Sequence, residues 1–252
     1  MKSLTAYITE KMVYTKATTS KYNYFPQSKR ELKQIINSKI EKEGNEVDLN
    51  DIDTSKITDM STLFFGMRNF NGDISGWDVS NVKDMGSMFN ECEKFNCDIS
   101  NWDTSSLENL ESTFNGCVIF NQSLNNWNVS KVTNMRGIFS QCRVFNQPLD
   151  KWNVSKVNNM NYMFDGCYEF NQPLNDWNVS NVENMDLMFL NCHEFNQPLD
   201  KWNVSKCKRT GEMFRRCKKF NQDISNWDIS NVKYKDYMFD ECSIKEEYKP
   251  NF

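Results

Sequence analysis

The feature that most constrains this 252-residue chain is the spacing of its tryptophans, which recur every 25 residues without a single insertion or deletion. All the tryptophans of the chain belong to this series: Trp77, Trp102, Trp127, Trp152, Trp177, Trp202 and Trp227. A fixed period of this length is typical of repeat proteins, in which copies of one supersecondary unit stack and contact only their neighbours. The sequence therefore predicts a stack of coils and not a globule around one core.

Other residue types keep the same period. A cysteine column contains Cys92, Cys117, Cys142, Cys167, Cys192, Cys217 and Cys242. Two phenylalanine columns begin at Phe64 and Phe70, and each member of the second is followed by Asn. We interpret the tryptophans and cysteines as structural ladders, and the asparagines as a hydrogen-bonded ladder that satisfies hidden backbone groups. An exposed tryptophan stair that stacks on sugars or bases is the alternative. It is disfavoured because Ile52 takes the tryptophan position in the first, degenerate coil.

The period divides the chain into four parts. Residues 1–25 form a leader or flexible segment, 26–44 an N-terminal capping helix, 45–244 the repeat solenoid and 245–252 a C-terminal tail. Within the solenoid, 45–69 is a degenerate first coil, and seven full coils follow from residue 70. Ser28 and Glu31 match a capping box at the helix start, and Gly44 is a typical helix stop.

Each full coil has room for four short elements. In coil four, residues 145–169, we expect a short strand at FNQPL and a turn through WNVS. A second extended piece at VNNM and a helical turn at YMFDGC complete the unit. The expected fold class is a repeat solenoid of short parallel strands and short helical turns.

Composition limits the environment and the chemistry. The net charge of −4 disfavours a nucleic-acid partner, and no stretch approaches the roughly 20 apolar residues of a membrane span. No apolar secretion signal is visible near the start, so we expect a cytoplasmic or virion-associated protein. The nine cysteines are expected to be free thiols, since no export route is visible. Zinc is disfavoured because the chain has no CxxC pair and only His193 as an imidazole.

The phrase MFDGCYEFNQPLNDWNVSNVENM, residues 163–185, resembles the BspA-like leucine-rich repeat family with 25-residue units of the mycoplasma lipoprotein type. The resemblance covers about residues 45–244, with the Phe, Cys, Phe-Asn, Trp and Val columns coinciding. It implies a right-handed leucine-rich-type solenoid and a surface protein that binds other proteins or cells. Since this chain shows no export signal, a surface adhesin is kept as an alternative function.

The first ten residues, MKSLTAYITE, resemble the short propeptides of internal head proteins in large tailed phages. That resemblance implies cleavage after Glu10 and a second alternative, a phage virion structural or internal head protein. An ordinary amphipathic helix explains the same segment, because Leu4, Tyr7, Ile8 and Met12 follow helical spacing.

Coil six departs most from the repeat. Between residues 206 and 219 its basic residues are Lys206, Lys208, Arg209, Arg215, Arg216, Lys218 and Lys219. Glu212 is the one acidic residue there, so seven positive charges against one give this stretch a local charge of +6. It is a candidate docking surface for an acidic partner or a phosphate backbone. The alternative is a solvated face on which long basic side chains cover apolar edges.

No set of residues in the sequence indicates catalysis. A single histidine, no glycine-rich phosphate loop, no nucleophile elbow and no metal cluster are found, so we predict neither an enzyme nor a cofactor. The predicted function is a non-enzymatic protein–protein interaction or structural scaffold module. Its partner is expected to be a protein, and self-association is left open.

Overall fold

The structure is a computed structural model that describes residues 21–251. Most of the predicted leader, including Glu10, lies outside the described residues. The described part contains one α-helix, α1 (Lys29–Glu43), and one 3-10 helix (Glu246–Tyr248). Between them the chain winds in successive coils of 25 residues, and hydrogen bonds join residues one coil apart.

Helix α1 is bounded by side-chain and backbone caps. The Ser28 hydroxyl accepts a hydrogen bond from the Glu31 amide at 3.3 Å, and the Glu31 carboxylate accepts one from the Gln27 amide at 2.8 Å. At the other end Gly44 adopts a φ of 91° and its amide donates to the Ile40 carbonyl at 2.8 Å. These contacts satisfy backbone groups that a helix end leaves without partners.

Helix α1 packs on the degenerate coil 45–69. Leu32 and Ile36 are fully buried on its inner face. Lys29 Nζ lies 2.8 Å from the Asp59 carboxylate, and Lys39 Nζ lies 2.7 Å from that of Asp51. Apolar burial and these ion pairs together hold the helix against the first coil.

Backbone pairing between coils is concentrated in one segment, which we call the turn segment: residues 160–167 in coil four and their equivalents. Four alternate amides of coil three donate to coil four: Met135 to Asn159, Gly137 to Asn161, Phe139 to Met163 and Gln141 to Asp165, at 2.6–3.0 Å. The residue just before the segment forms an isolated parallel bridge, as in Asn134 with Asn159. No strand longer than such a bridge occurs in residues 21–251, so the strand expected at FNQPL is absent.

The turn segment is not helical, which differs from the expectation for YMFDGC. Its third residue has a φ of 53–60° in every coil: Thr62, Ser87, Ser112, Gly137, Tyr162, Leu187, Glu212 and Tyr237. Its seventh residue is also left-handed, at 53–75°: Gly66, Glu91, Gly116, Gln141, Gly166, Asn191, Arg216 and Glu241. A right-handed helix requires negative φ throughout. The segment instead directs alternate amides to the next coil, at a conformational cost for each non-glycine residue.

Stacked aromatic rings fill the core. Phe164 is fully buried, with ring centroids 5.8 Å from Phe139, 5.6 Å from Phe189 and 4.2 Å from Phe170. The seven tryptophans are only 2–4 % exposed. Each indole N–H donates to a carbonyl of the preceding coil, as Trp152 does to Leu124 at 2.8 Å. An exposed tryptophan stair is therefore excluded.

The asparagines after the second phenylalanine column form a continuous ladder. Asn146 Oδ1 accepts from the Asn171 amide at 3.0 Å and from Gln172 Nε2 at 2.9 Å. The same amide contact recurs from Asn96 up to Asn221, whose own Oδ1 accepts from the Lys245 amide. The predicted hydrogen-bonded ladder is confirmed, and it joins backbone to side chain across every coil boundary from Asn71 onward.

The nine cysteines are free thiols. Cys142 is fully buried and its thiol donates to the Phe114 carbonyl at 3.0 Å. Burial raises the pKa of the Cys92 thiol to about 12 and that of Cys207 to about 11. Cys97 is one of two cysteines that are only partly buried, and its pKa is also raised, chiefly by burial.

We predict that iodoacetamide at neutral pH labels Cys97 and Cys242 at least tenfold faster than the seven buried thiols. Burial both blocks the reagent and suppresses the thiolate that would react. Mass spectrometry of peptides from the native protein measures the rates, and the urea-unfolded protein, in which all nine should react alike, is the control. Equal labelling of Cys97 and Cys142 in the native protein would contradict the ladder.

Candidate binding face

The turn segment alternates between residues that build the core and residues that change from coil to coil. In coil four, Met160, Met163, Phe164 and Cys167 are fully buried. We define the variable face as the equivalents of residues 161, 162 and 165. The 161 column is Ser61, Gly86, Glu111, Arg136, Asn161, Asp186, Gly211 and Asp236. The 165 column is Phe65, Asn90, Asn115, Ser140, Asp165, Leu190, Arg215 and Asp240. Because the turn segments pair directly, these columns lie side by side along the stack, with Ser140, Asn161, Asp165 and Asp186 buried within them.

A groove opens on this face across coils two, three and four. Its volume is about 230 Å³, and its lining residues are Ser112, Asn115, Arg136, Gly137, Ser140, Tyr162 and Asp165. Gly137 accounts for the gap, since the other coils carry a side chain at that position. A Cβ added to Gly137 would lie 3.2 Å from the Ser112 hydroxyl oxygen. The groove is therefore a local departure from the repeat.

Asp165 is the buried charged group of the groove. It is 8 % exposed, and one carboxylate oxygen, Oδ2, accepts from Ser140 Oγ at 3.3 Å and from Gln141 Nε2 at 3.1 Å. The other oxygen, Oδ1, is covered and has no hydrogen-bond partner within residues 21–251. Burial raises the pKa of Asp165, and the nearby Glu212 carboxylate adds to the rise. Burial of a carboxylate without full compensation costs free energy.

Arg136, the cationic residue in the groove lining, is engaged elsewhere. Its guanidinium NH1 lies 3.0 Å from Glu111 Oε1, and its Nε donates to Asn161 Oδ1 at 3.3 Å. In the described part of the chain Asp165 takes part in no ion pair. The groove thus presents one uncompensated carboxylate among hydroxyl and amide groups. We did not identify this site from the sequence; its one signal there is the glycine in the 162 column.

The seven predicted basic residues all belong to coil six, and the adjacent coils supply carboxylates beside five of them. Lys208 Nζ lies 2.7 Å from Glu183, and Lys219 pairs with Glu194, both in coil five. The hydrogen bond and charge of Lys208 lower the pKa of Glu183. Lys208 and Lys219 are therefore each paired with a carboxylate of coil five.

The arginines are paired in the same way. Arg215 lies 2.8 Å from Glu212 and 3.0 Å from Asp240 of coil seven. Arg216 lies 3.1 Å from Glu241, and Arg209 pairs with Asp186. The local charge of +6 counted within coil six is thus largely offset by carboxylates from coils five and seven. Stacking brings residues 25 apart into contact, so five of the seven basic residues predicted to dock a partner have a carboxylate of a neighbouring coil beside them.

Two arginines of coil six also face exposed tyrosines of coil seven. The Arg209 guanidinium carbon lies 4.2 Å from the centroid of the Tyr234 ring. The Arg215 guanidinium carbon lies 5.8 Å from the centroid of the Tyr237 ring. Tyr234 is 54 % exposed and Tyr237 is 68 % exposed. Arg215 and Tyr237 belong to the variable face, whereas Arg209 and Tyr234 flank it. Coils six and seven therefore form an arginine–tyrosine surface, which consists of Arg209, Arg215, Tyr234 and Tyr237.

These features define a repeat protein of stacked 25-residue coils. A family described as "Mycoplasma protein of unknown function, DUF285" matches the chain twice, over residues 31–152 and 133–251. The chain belongs to this family. Comparisons with curated proteins and with solved structures give no match. Among residues 21–251, helices of membrane-spanning length and apolarity are absent, as are groups of three or more His, Cys, Asp or Glu placed to hold a metal ion.

Proposed function

We propose that this protein is a non-enzymatic protein-interaction or scaffold module, built on a leucine-rich-type solenoid, that binds a partner through the variable face. The observation that carries the proposal is that each coil contains two sets of columns, one nearly constant and one variable. The Trp, Cys and Asn columns are nearly constant and are occupied by contacts between coils. The residues of the variable face differ from coil to coil and are not needed to repeat the fold.

The arginine–tyrosine surface is the best-supported part of the variable face for contact with a protein. Tyrosine and arginine are enriched in protein interfaces and among the residues that contribute most to binding. Tyr237 is 68 % exposed, and the carboxylates around Arg215 hold its guanidinium beside that ring. Backbone hydrogen bonds between the coils fix the spacing of these side chains. Less conformational entropy is therefore lost when a partner binds.

The test compares two double variants of the full chain as baits in extracts of the source cells, with cross-linking and quantitative mass spectrometry. We expect Arg215→Gln with Tyr237→Ser to reduce recovery of a partner at least tenfold. The control, Lys151→Gln with Lys201→Gln, changes exposed residues in the segment before Trp and should leave recovery unchanged. Equal recovery by both double variants would refute a partner site on this face.

Arg215→Gln is a better test than Arg215→Glu, because glutamine removes the positive charge without adding a negative one. Glutamate there would lie beside Asp240 and Glu212, so repulsion could weaken the stack and mimic a lost contact. Thermal unfolding of each bait shows that the fold is intact before recovery is compared.

A further inference from the structure

We propose that the groove between coils two and four binds an alkylammonium group, with the Asp165 carboxylate as its counter-charge. The group has two sources, a free small amine or a lysine side chain of a partner protein. The second source rests on the proposed function, whereas the first does not. The groove lies in coils two to four, and coil five separates it from the arginine–tyrosine surface of coils six and seven.

The groove has the size and polarity for such a group. Its volume of about 230 Å³ lies below the roughly 300–1,000 Å³ of sites for drug-sized ligands, so it suits a short amine and not a large ligand. An ammonium carries three donors and no acceptor. The lining offers the carboxylate of Asp165 and the hydroxyls of Ser112, Ser140 and Tyr162 as acceptors.

The charge balance of the groove favours a cation over an anion. The charge of Arg136 is offset by Glu111, and its Nε donates to Asn161, so Arg136 attracts an incoming anion less than an unpaired arginine would. Asp165 lines the groove, is nine-tenths buried and has no ion pair within residues 21–251, since its hydrogen bonds come from neutral groups, the Ser140 hydroxyl and the Gln141 amide. A cation in the groove would compensate this carboxylate, and in a partly desolvated site the attraction is stronger than in water.

The lining also disfavours a hard metal ion. Calcium takes six to eight oxygen ligands, commonly from several carboxylates, and the groove lining contains one carboxylate. An ammonium needs fewer contacts, and its alkyl chain can extend along the opening left by Gly137. The same opening explains why the equivalent positions of the other coils would not bind it, since each carries a side chain where Gly137 has none.

Ligand affinity should depend on pH with a definite sign. Burial holds the pKa of Asp165 above its usual value, and the ammonium binds the ionised carboxylate. Affinity is therefore weak below that pKa and rises as pH increases through it. It levels off above the pKa of Asp165, where the carboxylate is ionised, as long as the pH stays below the pKa of the alkylamine, which is about 10.4.

The experiment is a titration of the ¹⁵N-labelled full chain with n-butylammonium, followed by amide chemical shifts. We expect saturable shifts centred on Gly137, Ser140 and Asp165, and at least tenfold weaker binding for Asp165→Asn. Asp240→Asn changes the same column in coil seven and is the matched control that keeps wild-type affinity. Neutral 1-butanol and butyltrimethylammonium, which lacks N–H donors, should bind at least tenfold more weakly than n-butylammonium.

A second variant, Gly137→Leu, closes the groove with the residue that coil five carries at the same position, and should abolish binding while Asp165 remains. Wild-type affinity in Asp165→Asn or in Gly137→Leu would overturn the proposal, as would shifts that do not saturate.

The peptide Ac-Gly-Lys-Gly-NH₂ distinguishes the two sources of the ammonium group. Tighter binding than n-butylammonium assigns the site to a partner lysine, and weaker binding assigns it to a free amine. If the wild-type chain bound no n-butylammonium while the partner was still recovered, this site would be rejected and the proposed function would stand.

Discussion

Phe164→Ala is expected to lower the free energy of unfolding by about 3–5 kcal/mol, the range for removing a large buried aromatic side chain. Phe164 is fully buried and contacts three rings of the two neighbouring coils: Phe139 of coil three, and Phe170 and Phe189 of coil five. Its removal leaves a cavity between continuous stacks, and the neighbouring rings are tied to backbones whose spacing is set by hydrogen bonds. The surrounding structure can therefore collapse only partly into the space.

Urea unfolding followed by tryptophan fluorescence measures the effect, since all seven indoles lie in the stack. Phe65→Ala is the matched control: it removes the same side chain from the degenerate coil, where Phe65 is 49 % exposed. We expect the control to change stability by less than about 0.5 kcal/mol, as is usual for surface substitutions. A similar loss for both variants would mean that the ring stack does not govern stability.

Asn146→Leu is expected to cost about 2 kcal/mol although it adds apolar volume to the coil. The Asn146 side-chain oxygen accepts from the Asn171 amide and from Gln172 Nε2. Leucine removes that acceptor and leaves a backbone donor between coils without a partner, which costs about 1–3 kcal/mol. The hydrophobic gain is small because Asn146 is only half-buried.

Asn146→Asp is the control, because the carboxylate keeps an oxygen that can accept from both donors. Urea unfolding should show a clearly smaller loss for aspartate than for leucine, and hydrogen exchange should show faster opening at the Asn171 amide in the leucine variant. If leucine were as stable as wild type, the asparagine ladder would be dispensable.

Much of the architecture could be predicted from the sequence because it follows from a period. Residues 25 apart occupy equivalent places, so a column of one apolar type predicts burial and a column of asparagine predicts a ladder. The structure has both, with Trp152 buried and Asn146 bonded to the next coil. The helix caps at Ser28 and Gly44 are also local signals, since each depends on a few neighbouring residues.

The form of the coil could not be predicted in the same way. The segment YMFDGC has the composition of a helical turn, yet Tyr162 and Gly166 adopt left-handed conformations there. Helix propensity is a weak local preference, and the amide contacts to the next coil override it. The expected strand at FNQPL is absent because the asparagine side chain, and not a backbone ladder, makes the contact between coils in that segment.

The sequence by itself determined the period, the buried columns and the family, because these depend on which residues repeat along one dimension. Only the tertiary structure decided which charges remain unopposed. It placed carboxylates of coils five and seven against the basic residues of coil six, and left Asp165 without a cation beside the gap at Gly137. The physical reason is that electrostatic energy depends on distances between coils, which stacking sets and which no count within one coil contains.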